Sequence, residues 1–337
     1  MPSPAPPSSA EISAGPSAAL AGAAAVVPGV VVHGAGHYVR GEKRTAKRLL
    51  LAQLTGVGLL GLGLGGLALT GASRRVVTPL AMTTIVGAAL FLVPFLADIY
   101  GSVSGKEPLG RPAFIPVLET SVGARAVYDP VFPQRFFVVE TIDARVGAFR
   151  LSPSFWFSAG SPNTRARLEG AYRFRGPTPA RTAPLRGSFT ELSVAVTHHA
   201  YTANAFAVTT FEWLLLSRLD LRRIGPTLDG SFAEIGLGTG IAANHYQALG
   251  VTETTTLLLG RVAFGTYLGA GRGEAALVYD HRRDGIVGGA RLPGLPVGFL
   301  GSGGVRAKYF FTEELGIAGE ALFGAAYVGG LSLVIRQ

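Results

Sequence analysis

The chain contains no cysteine, which excludes a disulfide framework and any thiolate metal site. Charge is also scarce. Asp, Glu, Lys and Arg make up 15% of the 337 residues, against about 25% in ordinary soluble domains. Apolar residues reach 48%, and glycine is abundant at 47 residues. A water-facing surface for a chain of this length needs more charge than this. The net charge of +9 invites a nucleic-acid reading, which requires basic residues clustered on one face with aromatics between them. Here the arginines are scattered, often at every second position, so no nucleic-acid partner is expected.

Residues 1–18 are mostly Pro, Ser and Ala with a single Glu, the composition of a disordered leader. They lack the basic and apolar regions of a secretory signal. Export is expected to rely on a signal removed upstream or on residues 43–72, where Lys43, Arg44, Lys47 and Arg48 precede an apolar run that ends in small residues.

Residues 19–104 form a hydrophobic helical region. The runs Leu49–Gly71 and Val76–Leu96 predict two long helices, about 46–71 and 76–99, each long enough to cross roughly 30 Å of hydrocarbon. Asp98 and Tyr100 are expected to close the second at an interface. Ala18–Val32 is expected to add a short helix against the membrane or the hairpin. Gly56, Gly58 and Gly61 spell GxGxxG, but the strand, amphipathic helix and acidic residue of a nucleotide site are missing. Close helix packing through Gly61 and Gly65 is the expectation. His33 and His37 stand at a metal-sharing spacing, yet Gly34 and Gly36 disfavour a firm helix and no third ligand stands nearby. A structural role is expected, with no metal and no cofactor. The stretch Pro28-Gly29 through Gly41, with Gly34, Gly36, Tyr38 and Gly41, resembles the lead-in to helical hairpins of small bacterial envelope proteins, which implies a membrane location and no particular chemistry.

From about residue 113 to residue 337 the pattern turns to two-residue alternation. Between Arg165 and Arg175, Ala166, Leu168, Gly170, Tyr172 and Phe174 alternate with Arg165, Arg167, Glu169, Arg173 and Arg175. Such alternation suits a strand with one face in lipid and one in a polar lumen; a soluble sandwich also alternates. Repetition and length favour the barrel. Candidate strands lie near 115–128, 136–157, 164–175, 188–201, 204–221, 230–246, 253–268, 272–283, 298–311 and 314–336. The second and last are long enough to split, so ten strands become twelve. Breakers at Asp129-Pro130, Ser161–Asn163, Gly225-Pro226, Gly269–Gly273 and Thr312–Glu314 supply turns. Gly330, Leu333 and Ile335 in the final strand are similar to the signal by which outer-membrane barrels are recognised for insertion; Arg336-Gln337 stands where that family usually ends in an aromatic residue.

The fold class expected is mainly β: an antiparallel transmembrane barrel of about ten strands, or twelve, preceded by an α-helical hairpin. The lumen candidates are Glu119, Arg125, Arg145, Arg165, Arg167, Glu169, Arg173, Glu191, Glu234, Arg306, Lys308 and Glu320. They either pair across a plugged interior or line a narrow path for small anions. His198-His199, His245, and Asp280 with His281 and Asp284 were the places to seek chemistry, but no Ser/His/Asp set has a diagnostic spacing and adjacent strand residues face opposite sides. The leading expectation is therefore a structural or narrow-pore barrel of a Gram-negative outer membrane. Its expected partners are the lipid bilayer, the outer-membrane insertion machinery and an envelope protein engaged through the hairpin. A lipid- or peptide-processing outer-membrane enzyme and a helical inner-membrane protein with a soluble β domain are the alternatives. The basic cluster Arg40–Arg48 favours the cytoplasm by the positive-inside rule, in conflict with a barrel unless the hairpin enters the outer membrane beside it.

Overall fold

The structure, a computed structural model, describes residues 18–73, 75–104, 110, 115–128, 136–179, 187–201, 205–269, 271–281, 301–324 and 327–337. The expected leader, Asp129-Pro130 and Asp284 lie outside the described residues, save Ala18, which opens the first helix. Helices α1 (Ala18–Val26), α2 (Ala35–Val39), α3 (Lys43–Leu69) and α4 (Val77–Val103) come first. The last two are long and apolar enough to cross a membrane.

The α3–α4 hairpin packs through glycine, but on a different face from the one the sequence suggested. A Cβ on Gly56 would lie 2.8 Å from the backbone of Gly87 and Leu90, and one on Gly87 would lie 2.6 Å from the Leu60 nitrogen. Side chains there would force the helices apart. Gly58, Gly61 and Gly65 have nothing within reach and face away from α4. The packed stripe is Gly56 with Gly63, seven residues apart, a spacing that keeps both on one helix face.

Asp98 is not interfacial: it is fully buried. Its carboxylate accepts from the backbone nitrogens of Gly34 (2.8 Å), Gly36 (3.3 Å) and His37 (3.1 Å) and contacts His37 Nδ1 at 2.6 Å. The glycines around His37 therefore permit a helical turn after all, because Gly34 takes a φ of 92° as its N-cap and the turn's free amides close on a carboxylate. Gln53 adds a second tie, accepting from His33 N and donating to Val31 O. Arg40 donates to the carbonyls of Gly101, Ser102 and Ser104, which end α4.

Twelve strands follow: β1 (Leu118–Tyr128), β2 (Phe136–Val146), β3 (Phe149–Ser158), β4 (Asn163–Arg175), β5 (Phe189–Tyr201), β6 (Phe206–Asp220), β7 (Ser231–Tyr246), β8 (Val251–Leu268), β9 (Gly273–His281), β10 (Ser302–Phe310), β11 (Leu315–Phe323) and β12 (Tyr327–Arg336). Each pairs antiparallel with its sequence neighbours, and β1 closes on β12. Both long candidates split. Gly147, at φ 58°, turns the chain between β2 and β3. Closure leaves no strand edge and satisfies the backbone without water.

The pleat sends alternate residues outward, and these are apolar: Leu168, Leu192, Val196, Phe211, Trp213, Leu331 and Leu333 are among the most exposed large side chains. The hairpin lies against this same outer face. Ile85 and Ala89 of α4 pack on Val262, Ile235 and Leu258 of β7 and β8, and a Cβ on Gly260 would meet Ile85 at 2.8 Å. Lipid offers little hydrophobic drive for such packing, so polar latches matter. They come from the β6–β7 connection: Tyr100 donates to Asp229 O (2.9 Å), Arg48 to Ile224 O (2.6 Å) and Thr227 to Glu42 (2.6 Å). Helices and barrel thus pack side by side, the arrangement that a barrel with this basic flank calls for.

Candidate functional site

The strand registers define the interior. Odd-numbered residues of β1, β2, β4, β5 and β8 and even-numbered residues of the others share one face. All twelve lumen candidates fall on it. So do Asp143, Arg150, Glu212, Arg218, Arg261, Glu274, Asp280 and Arg336. Asp220 and Glu253, at the ends of β6 and β8, share this parity, whereas Arg175 lies past a bulge and pairs with outward Thr190. Among the described strand residues, eleven inward cations therefore face eleven inward acids.

These charges pair across the wall instead of facing an open channel singly. Arg150 reaches Asp143 (3.4 Å), Glu169 (2.6 Å) and Glu191 (3.3 Å). Arg167 donates to Glu169 (3.0 Å), Glu212 (2.9 Å) and Thr197 (3.0 Å). Arg173 donates to Glu191 at 2.9 Å, and Arg145 pairs with Asp143 at 2.9 Å. On the opposite wall Arg218 joins Glu234 (2.7 Å) to Glu274 (2.7 Å), bridging from β6 to β9, while Arg261 meets Glu234 at 3.0 Å. Lys308 donates to Glu119 at 2.8 Å, and Glu320 takes both Arg125 and Arg306. Arginine suits this work because its planar fork holds two carboxylates at once.

Aromatic rings supply the remaining contacts. Arg125 and Arg165 stack on Trp156 at 4.2 and 4.5 Å. Arg173, Arg218 and Arg336 lie over Phe189, Phe232 and Phe310 at 4.1, 4.0 and 3.7 Å. Stacking on a ring compensates a guanidinium for water that it has lost.

Three cavities occupy the lumen, of about 460, 400 and 260 Å³. Their walls share Arg306. The largest reaches Ile115, Pro116, Pro177 and Gly187, at the barrel end that carries the chain's own entry and exit. Towards the other end the inward residues become apolar. Val127, Phe137, Trp156, Tyr201, Leu257, Leu322 and Val328 form one buried cluster. Phe137 and Leu257 are each 1% exposed, while Trp156, Leu322 and Val328 of the same cluster also line the 400 Å³ cavity. The interior is a polar basin bordered by an apolar cluster towards this end.

Arg150, Glu212, Arg218, Arg261 and Arg336 also face inward but were not legible in the sequence. Arg150 was hidden by the Gly147 turn, since a two-residue hairpin reverses which parity points inward. Glu212 and Arg218 flank Leu214-Leu215-Leu216, where alternation vanishes because Leu214 and Leu216 fill the space left by inward Gly236. Of the histidines, His199 faces inward, 2.7 Å from Asn163 Oδ1 and stacked on Tyr201. His198 and His245 face outward and share Thr209. Outward His281 lies 3.0 Å from the Tyr279 hydroxyl. Gly330 faces inward beside Glu320 and Arg125, whereas Leu333 and Ile335 are exposed on the outer face.

No family model matches the chain, and no curated protein matches it. Among solved structures it is similar to the KdgM porin in complex with oligogalacturonate, with a TM-score of 0.41 at 8% identity over 65% of this chain and 99% of that one. It is similar also to the outer-membrane protein Omp33 of Acinetobacter baumannii, at 0.33 and 8% over 66% and 98%. The translocator domain of the autotransporter NalP from Neisseria meningitidis gives 0.34 and 11% over 65% and 88%. At these identities the likeness is one of general fold.

Proposed function

We propose that this chain is a barrel protein of a Gram-negative outer membrane, and that its lumen is a narrow polar path closed at rest by an apolar layer. The observation that carries this reading is the set of three charged cavities that share Arg306 in their walls, beside the buried apolar cluster around Phe137 and Leu257. A barrel with only a structural duty does not need connected wet volume, whereas a narrow pore needs it and needs a seal as well. The apolar band of the outer face supports the bilayer as solvent. Gly330, Leu333 and Ile335 are proposed to serve recognition by the insertion machinery, and the hairpin face bearing Gly58, Gly61 and Gly65 to meet an envelope partner. The twelve lumen candidates are proposed to set which ions the path accepts.

Planar-bilayer recordings test this. The wild-type protein should show rare, small openings. Phe137→Ser with Leu257→Ser, which wets opposite walls of the layer, should raise conductance and open probability. If the double variant folds, as judged by heat-modifiable gel migration, and still passes no current, the barrel is structural and the pore reading fails.

A further inference from the structure

The lumen's charges are paired, but a group of cations outside the barrel is not. Lys43, Arg44, Lys47 and Arg48 at the start of α3 and Arg222 and Arg223 in the β6–β7 connection are all exposed, and among the described residues none of the six makes an ion pair. They gather where the hairpin meets the barrel end that carries the chain's entry and exit. The acids nearby are engaged elsewhere: Glu42 accepts from Thr227, and Asp220 accepts from the backbone of Arg222.

Beside this collar is a groove of about 260 Å³ between α3, α4 and the β6–β7 connection. Leu49, Ala52, Val93, Ala97, Leu221 and Ile224 line it, with Arg48 and Arg223 at its mouth. The walls are almost wholly apolar. Arg48 is held across the mouth by its bond to Ile224 O. In water such a groove would stay empty at the cost of its contacts; in a bilayer it opens onto acyl chains. An apolar slot under two exposed arginines, Arg48 held in place and Arg223 beside it, matches a molecule with a hydrocarbon tail and an anionic head.

We infer that this groove is a binding site for one anionic phospholipid of the leaflet on the termini side, its acyl chain beside Ala52 and Ala97 and its phosphate between Arg48 and Arg223. The site rests on the barrel's insertion in a bilayer but not on conduction through it. A lipid held there ties the hairpin to the β6–β7 connection at a place where their packing leaves a gap.

The test uses the full chain in detergent micelles titrated with trace fluorescent phosphatidylglycerol. Unlabelled phosphatidylglycerol should displace the probe, phosphatidylcholine should do so at least roughly tenfold less well, and inorganic phosphate should not displace it. R48Q with R223Q should weaken binding roughly tenfold. A52F, and the milder A52L, should block binding by filling the groove while leaving the collar intact. K43Q with R44Q, outside the groove, should change it little. Binding unchanged in A52F and A52L would reduce the site to surface electrostatics and overturn the inference, as would equal displacement by phosphatidylcholine or by phosphate. Each variant is checked by heat-modifiable migration. A wild-type barrel that fails that check sinks the membrane reading itself, a result distinct from a folded barrel that binds no lipid.

Discussion

Replacing Arg218 by methionine removes the guanidinium that bridges Glu234 and Glu274 and keeps most of the apolar stem over Phe232. Buried Glu234 then keeps Arg261 alone and half-buried Glu274 loses its arginine, a change that costs about 2–3 kcal/mol. A fall in the urea midpoint of the refolded barrel should report it. Adding Glu234→Gln and Glu274→Gln should recover most of the loss, because the penalty comes from the stranded charge; no recovery would point to ring stacking as the larger part. Glu140 presents the opposite case. It stands on the outward parity of β2, between exposed Val122 and Phe155, the face that the proposed function turns to lipid. Glu140→Leu should stabilise the barrel by about 1–2 kcal/mol in the same assay, and a destabilised variant would mean that something polar covers this position. Both residues illustrate what alternation can reveal. Arg165 to Arg173 announce their facing because each neighbour is apolar, whereas Arg218 follows three leucines and Glu140 follows two valines, so parity could not be read there until the strand partners were known.

At the scale of elements, the helical region is held by polar ties at defined points. Asp98 carries the α1–α2 segment, since four hydrogen-bond donors from Gly34, Gly36 and His37 converge on it. Asp98→Ala orphans these groups in a buried setting, at a cost of about 3 kcal/mol. The segment between α1 and α3 should then open locally while the barrel stays intact. Limited proteolysis would show new cleavage between residues 27 and 42 with unchanged heat-modifiable migration; resistance equal to wild type would show that Gln53 and Arg40 suffice. The two long helices were legible from the length of their apolar runs, and the strand ranges from alternation. What each element packs against was not. Gly56 and Gly61 look alike in sequence, and only the rotation of α3 against α4 decides that Gly56 is covered and Gly61 open. Likewise Gly225-Pro226 reads as a turn, with nothing to say that Tyr100 and Arg48 will bond to the carbonyls around it.

For the whole molecule, α4 lies along the outer face of β7 and β8, so under the proposed reading the hairpin and the barrel enter the same membrane. The basic flank of α3 then stands at the barrel end where the chain enters and leaves. The lumen's own charge follows from the same closure: the register, and no single strand, decides that cations and acids balance on the inward face. Glu320 is the carboxylate that Arg125 and Arg306 share, and the three cavities share Arg306 in their walls. In the Phe137→Ser, Leu257→Ser background, Glu320→Gln leaves both arginines beside the path without that acid. The positive potential at this level rises, and small anions should be favoured over cations. A reversal potential measured in a steep KCl gradient should shift towards the chloride equilibrium value relative to the parent double variant. Screening limits the effect to about a Debye length, roughly 10 Å at 0.1 M salt, so the shift should shrink as salt is raised. An unchanged reversal potential at low salt would place the conducting path away from Arg306 and overturn the route through the joined cavities.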